Sequence, residues 1–329
     1  MIITRAPFRV SFCGGGSDLP AFYEKHGGCV ISTSIRKYMY LTLHQSFDPN
    51  EIVLKYSKTE IVHNYDQIEH KYFKQVLSNM GIKGIEISSS ADIPAGTGLG
   101  SSSSFTVALL HLLHTYKGEF VSKGRLASEA CDIEINQLGN PIGKQDQFAA
   151  AFGGLNFIEF KPNGYVDVQP IVMKASAYKQ LQKNLMMFYL GGTHSASAIL
   201  KEQSRNVSSH DKESAQLEMC GLARELKEEL EKNNIDAMGS LLDKNWQLKK
   251  TLAAGISNPL IDETYTAAMN AGARGGKLLG AGGAGFMLFY VPEDRQENVR
   301  NALSKLREMT FKMDNSGASI IYVDHDNVE

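Results

Sequence analysis

The sequence contains no uninterrupted apolar run of membrane-spanning length, no block of lysine and arginine, and no paired cysteine spacing. The first absence removes a helical membrane anchor from the expectation. The second removes the electrostatic footprint of a nucleic-acid or anionic-lipid binder. With 34 Lys and Arg against 36 Asp and Glu the formal charge is −2, so any anionic ligand must be held locally. The four cysteines, Cys13, Cys29, Cys131 and Cys220, show neither CxxC nor His/Cys metal spacing. They are expected to be buried small apolar residues in a reducing compartment. The opening MIITRAPFRVSF lacks the apolar core and small-residue cleavage site of a secretory signal, so a cytoplasmic location is expected.

What is present is ordinary globular composition, 43% hydrophobic and 21% charged, in a chain of 329 residues. That length favours two domains sharing a cleft. Residues 2–6, 9–12, 29–35, 39–43 and 52–55 are rich in β-branched and aromatic residues and read as strands. Helical spacing over 66–80 leads into the alternating strand GIEISSS at 84–90. Further helices are expected at 122–138 and 144–151, with strands at 155–160 and 165–171. After residue 184 the texture changes to a strand, three long helices, a glycine loop between strands, a helix and a closing strand ASIIYV. The expected division is therefore 1–184 and 185–329.

The strongest chemical signal is PAGTGLGSSSS at 94–104. Its glycines lack the Cβ that would keep an anion away from backbone N–H groups. The loop runs into an apolar helix, whose first turn adds orphan N–H groups and the positive end of the dipole. A triphosphate suits such a cradle. A flexible Gly/Ser linker has the same composition, but would not be pinned between a β-branched strand and an apolar helix. A Walker A loop is excluded because no Gly-Lys-Ser/Thr closes the stretch. A second glycine run, GAGGAG at 280–285, formally satisfies the dinucleotide fingerprint of oxidoreductases. The strand FMLFYV follows it where a helix is required, so a tight inter-strand loop is expected instead.

Two carboxylates, Glu134 and Asp146, flank a turn in IEINQLGNPIGKQDQF. Phosphoryl transfer uses one acid to hold Mg2+ and another to orient or deprotonate the attacking hydroxyl. Two solvated helix residues would read alike. In RAPFRVSFCGGGSD, Arg9 sits mid-strand, either solvated at an edge or facing an anionic partner. Asp18 follows a glycine turn, where it caps the next segment or accepts bonds from sugar hydroxyls.

In this order the segments APFR, PAGTGLGSS, Glu134 ahead of GKQD, and the late glycine loop resemble the GHMP kinases. That group includes galactokinase, homoserine kinase, mevalonate kinase and phosphomevalonate kinase, and the resemblance spans the whole chain. It implies an α+β fold of two domains: an N-terminal nucleotide-binding α/β domain with a left-handed β-α-β unit, and a C-terminal ferredoxin-like domain. Patterning could not have shown that handedness, since the usual rule is right-handed. The resemblance also implies ATP and Mg2+ as cofactors, Asp146 as catalytic aspartate, Arg9 as its basic partner, and Ser102 with Glu134 as Mg2+ ligands. The phosphate loop would comprise Pro94, Gly96, Thr97, Gly98, Leu99, Gly100, Ser101, Ser102, Ser103 and Ser104. Gly16, Ser17, Asp18, Thr193, Gly282 and Gly283 would face the acceptor.

Within the family, RVSFCGGGSDLP, GKQDQFAAAFGG and GGTHSASAIL are most similar to the heptose-phosphate branch, with the fucokinases the nearest competitor. Galactokinases have Glu-His-Thr-Asp where this chain has GGSD at 15–18. The implied activity is transfer to the anomeric hydroxyl of a sugar or sugar phosphate. Arg36, Lys37 and Lys144 are the cations named for a distal phosphate. No nucleic-acid or membrane partner is implied, and a homodimer is admitted. A non-catalytic sugar sensor on the same fold is the rival class, against which intact Asp146, Glu134 and Ser102 argue. Thr193, His194 and Ser195 would meet sugar hydroxyls or cap the next helix.

Overall fold

The structure is a computed structural model that describes residues 1–192, 196–206 and 209–324. Its larger sheet starts from β1 (Ile2–Ser11), which pairs antiparallel with the long β2 (Gly28–Gln45). The sequence suggests two strands in each of these stretches, and one bulge explains why. Pro7 has no N–H for the ladder, and the register jumps there from Pro7↔Tyr38 to Phe8↔Ile35. Arg36 and Lys37 are the extra residues squeezed out of the ladder, and β2 divides its partners at that point.

Beyond the bulge β2 pairs with β5 (Ile85–Ala91), which carries β3 (Ile52–Lys55) parallel to itself and β4 (Thr59–Val62) at the edge. Before the bulge it pairs with β6 (Leu155–Phe160), which continues into β7 (Val166–Pro170). Helices α1 (Pro20–His26) and α2 (Lys71–Met80) precede the central α3 (Ser101–Tyr116), which is followed by α4 (Lys123–Cys131) and α5 (Gln145–Phe152). Because α3 is apolar almost all round, it is buried against β1 and β2. The Thr4 hydroxyl donates to the Ala108 carbonyl at 2.9 Å and ties helix to sheet. A π-type turn at Asp132–Gln137 prolongs α4 and turns Glu134 inward.

After α6 (Ala175–Lys183), β8 (Leu185–Tyr189) opens a second, antiparallel sheet. It is accompanied by α7 (Ala196–Asn206), α8 (His210–Glu231), α9 (Ala237–Thr251) and α10 (Pro259–Asn270). Strands β9 (Gly275–Leu278) and β10 (Phe286–Tyr290), helix α11 (Gln296–Ala302) and β11 (Arg307–Glu308) complete the order β11-β8-β10-β9. Phe188, Met287 and Phe289 pack with Trp246, Ile261 and Val299 into this half's own core.

The closing ASIIYV strand is not part of that sheet, contrary to the sequence expectation. β12 (Met313–Asp314) pairs with β2, and β13 (Ser319–Val323) runs antiparallel along the free edge of β1. Alternation shows that a strand exists but not which open edge it completes. The chain end thus returns to the first sheet, across any single cut at 184. All four cysteines are buried and unpaired. Among the described residues no helix is long and apolar enough to cross a membrane.

Candidate active site

Gly98 and Gly100 hold φ of +83° and +77°, a region that side chains disfavour, and α3 starts at Ser101. The loop is clamped from both sides. A Cβ on Gly98 would stand 2.6 Å from the Leu279 carbonyl oxygen, and one on Gly280 would stand 2.5 Å from the Gly98 Cα. The two glycine runs therefore interlock backbone to backbone, which neither run reveals alone. Gly96, Gly98, Gly100, Ser101, Ser102 and Ser103 line a cleft of about 300 Å3. Pro94, Thr97, Leu99 and Ser104 do not line it. The Thr97 hydroxyl donates to the Pro94 carbonyl at 3.0 Å, and that of Ser104 to the Pro7 carbonyl at 2.8 Å, so both brace the loop.

Residues 137 positions apart meet at the centre of the cleft. Arg9 donates through Nε to Asp146 Oδ1 and through Nη2 to Oδ2, both at 2.7 Å. Its Nη1 donates to the Gly98 carbonyl at 2.6 Å. This fork is the strong, orienting form of ion pair. The arginine side chain is 6% exposed and the aspartate 25%, so the carboxylate keeps a face toward the cleft. Asp146 also abuts the loop, since a Cβ on Gly100 would lie 3.2 Å from its Oδ2.

Asp18 lies on the neighbouring wall. Its Oδ1 accepts from Gly16 N–H at 3.2 Å and its Oδ2 from Gln145 N–H at 3.0 Å. Burial pushes its carboxyl above the ordinary range, against the pull of the Gln145 N–H. Gly143 is pressed so closely that a Cβ there would stand 2.0 Å from Oδ2. Gly16 lines the cleft as expected. Ser17 does not, because its hydroxyl bonds both the N–H and the carbonyl of Cys29 from a buried position. Gly282 and Gly283 pack on Ile256, with Gly283 N–H on its carbonyl at 3.1 Å, and Gly280 and Ala281 are the residues of that loop facing the cleft. Thr193, His194 and Ser195 lie outside the described residues.

The expected metal pair, Ser102 and Glu134, is not brought together. Ser102 donates to the Tyr72 hydroxyl at 2.6 Å. The hydroxyl on Glu134 is that of Ser103, at 2.7 Å, one helical step further round. Glu134 is fully buried, and it also accepts from Thr106 at 2.5 Å and Gln147 at 2.6 Å. Burial pushes its carboxyl up to about 7, against the lowering effect of those donors. A Mg2+ held by Glu134 and Ser102 does not fit these side chains as they stand, because the carboxylate has no open face. Among the described residues no cluster of three or more His, Cys, Asp or Glu is arranged to hold a metal.

The backbone N–H groups from Gly96 to Ser103, at the start of α3, do fit a nucleotide's phosphates. Sequence reading missed several cleft residues: Lys71, Tyr72, Asn140, Gln145 and Lys249. The amide of Gln145 donates to Asp146 at 2.9 Å, while its buried Oε1 has no hydrogen-bond partner in the protein. His70 caps α2 through Phe73 N–H and thereby sets Lys71 and Tyr72 at the cleft. A histidine before a helix was the available signal. Arg36, Lys37 and Lys144, named for a distal phosphate, do not line the cleft. Lys144 turns away to the Gly164 carbonyl at 2.8 Å and the face of Tyr23 at 4.7 Å.

Comparison with known proteins agrees with this architecture. Residues 68–154 match the GHMP kinases N terminal domain and residues 226–309 the GHMP kinases C terminal domain. The D-glycero-alpha-D-manno-heptose 7-phosphate kinase of Campylobacter jejuni is 28% identical over 92% of this chain and 93% of its own. The bifunctional fucokinase/GDP-fucose pyrophosphorylase of Arabidopsis thaliana is 24% identical over 94% of this chain but 32% of its own. A crystal structure of a D-glycero-D-manno-heptose 1-phosphate kinase from Bacteriodes thetaiotaomicron superposes with a TM-score of 0.80, at 26% identity, over 98% of this chain and all of that one. With both family domains matched in order, and the glycine loop and Asp146 inside the first, the chain belongs to the GHMP kinases.

Proposed function

We propose that the chain is a sugar kinase that transfers the γ-phosphoryl of ATP to the anomeric hydroxyl of D-glycero-D-manno-heptose 7-phosphate, giving the 1,7-bisphosphate. The observation that carries this reading is the Arg9–Asp146 fork set against Gly100 of the phosphate loop. It aims one carboxylate at the place where an acceptor oxygen would meet a bound triphosphate. The acceptor lies between Asp146 and Asp18, beside the side-chain amide of Gln145. The anomeric oxygen forms its bond to phosphorus as the β,γ-bridging bond breaks and the electron pair leaves on ADP. Asp146 accepts the hydroxyl proton, late in the transfer because an anomeric hydroxyl is more acidic than an ordinary alcohol. Most of the acceleration comes from alignment.

The choice of a heptose phosphate rests on the glycine turn at 14–16 and on the Campylobacter relative. We take residues 1–184 as the nucleotide-binding unit and 185–329 as its partner, with β12 and β13 lodged in the first sheet.

The test is a panel of sugars and sugar phosphates incubated with ATP, with products located by 31P NMR. Heptose 7-phosphate is expected to give a new signal coupled to the anomeric proton. Faster turnover of fucose would move the reading to the fucokinase branch. Nucleotide and sugar binding without ATP consumption would replace it by a sensor.

A further inference from the structure

A phosphoryl group in flight carries negative charge that an efficient site meets with preorganised donors. Arg9 is already committed: three of its five N–H donors go to Asp146 and the Gly98 carbonyl, and its charge is matched by the Asp146 carboxylate. The lysine of a Walker loop is also missing from the sequence.

Lys249 stands in the gap. It lies near the end of α9 and is 5% exposed, yet it lines the cleft with Asp18 and Asp146. Its ammonium donates to the Gly280 carbonyl at 2.5 Å, and among the described residues no carboxylate lies within salt-bridge distance. An ammonium has three donors, so two remain. Gly280 is the residue packed on Gly98, so the two cations hold the two interlocked turns, Lys249 through the Gly280 carbonyl and Arg9 through the Gly98 carbonyl.

The anchoring is specific. One helical turn earlier, the Asn245 side-chain Oδ1 accepts from Gly14 N–H at 3.0 Å, docking α9 on the acceptor turn. The adjacent Lys250 points elsewhere, toward Asp262 at 3.7 Å. Burial disfavours the charged form of Lys249, and the nearby cations Lys277 and Arg9 disfavour it further, while Asp18 and Asp146 in the same cleft favour it. A buried cation with unused donors is costly until an anion arrives.

We propose that Lys249 is a catalytic cation of the transfer, its ammonium donating to a non-bridging oxygen of the phosphoryl group as that group passes from ADP to the acceptor. This rests on the kinase reading above. Lys249 gains and loses no proton in the step, since the acceptor's proton goes to Asp146 and the leaving electron pair to ADP.

The test compares the full-length wild type with Lys249→Met and Lys249→Arg, on whichever sugar the wild type turns over best. Affinity for ADP is measured with and without aluminium fluoride, which mimics the group in flight. The methionine variant is expected to lose roughly 10²–10³ in kcat and a similar factor in affinity for ADP with aluminium fluoride. It should keep its ADP affinity and its sugar KM within about threefold, and the arginine variant should recover part of kcat. Unchanged affinity for the mimic overturns the proposal. So does a rise confined to sugar KM, which would place the ammonium on the acceptor. Should the methionine variant also lose ADP binding, Lys249→Gln decides by the same measurement. If the wild type turns over no sugar at all, the kinase reading fails first and the lysine's role falls with it.

Discussion

Asp146→Asn removes one charge and almost no volume, so it separates the two things the Arg9–Asp146 fork does. An amide has one acceptor oxygen where the carboxylate has two. One of the arginine donors, Nε or Nη2, now 2.7 Å from oxygen, would face an NH2 group instead. Arg9 is left as a buried cation without a countercharge, beside an aspartate site that is a quarter exposed. The expected loss of stability is about 2–4 kcal/mol, between the values for exposed and for fully buried pairs. The expected loss of kcat is about 10²–10⁴, or ~2.7–5.5 kcal/mol of barrier, because the group receiving the acceptor's proton is gone. The double variant Arg9→Gln, Asp146→Asn distinguishes these effects. Removing the stranded cation should restore part of the melting temperature but none of the turnover. Thermal melts and steady-state kinetics on the four proteins of the cycle provide the measurement. Near-wild-type turnover in Asp146→Asn, or turnover that recovers with stability in the double variant, would show that Asp146 is only a brace for Arg9.

Gly98→Ala should cost about 1–2 kcal/mol for the positive φ and more for the 2.6 Å approach to Leu279, with kcat falling about 10²-fold as the loop shifts. A melting temperature and rate like those of wild type would mean that the loops do not interlock. Gly143→Ala drives a methyl into the Asp18 carboxylate and should raise acceptor KM at least ~10-fold while ADP affinity holds. Equal weakening of both ligands would remove Asp18 from the acceptor wall. Glu134 binds its proton more tightly in the folded chain, at about 7 against an ordinary 4.5, so its stabilising share is full below about 4.5 and fades as pH rises through 7. Glu134→Gln should remove that slope from melting temperature plotted against pH, and parallel curves for variant and wild type would contradict the buried, proton-holding carboxyl.

The phosphate loop was legible because glycine is the residue that tolerates the conformations found at 98 and 100, and because an apolar helix follows it. The Arg9–Asp146 partnership was legible only through family resemblance, since nothing local joins residues 137 apart. Ser103 rather than Ser102 meets Glu134 through a difference of about 100° in helical phase, which four identical serines cannot display. Lys249 and Lys250 read alike in QLKKT, yet the fold buries one at the cleft and leaves the other half-buried near Asp262. The destination of β13 depended on which edge of β1 was vacant, and alternation carries no information about that.

The seam where Gly98 meets Gly280 has no room for a methyl group, and its two sides are contributed by stretches 182 residues apart. The anion cradle is therefore a joint possession. Severed from its partner, the amino-terminal portion would keep every residue of the glycine motif and lose the wall against which that motif takes its shape. Evolutionary exchange of the carboxy-terminal portion between relatives must accordingly preserve this bare patch of main chain, even where the recognition of the sugar is rewritten.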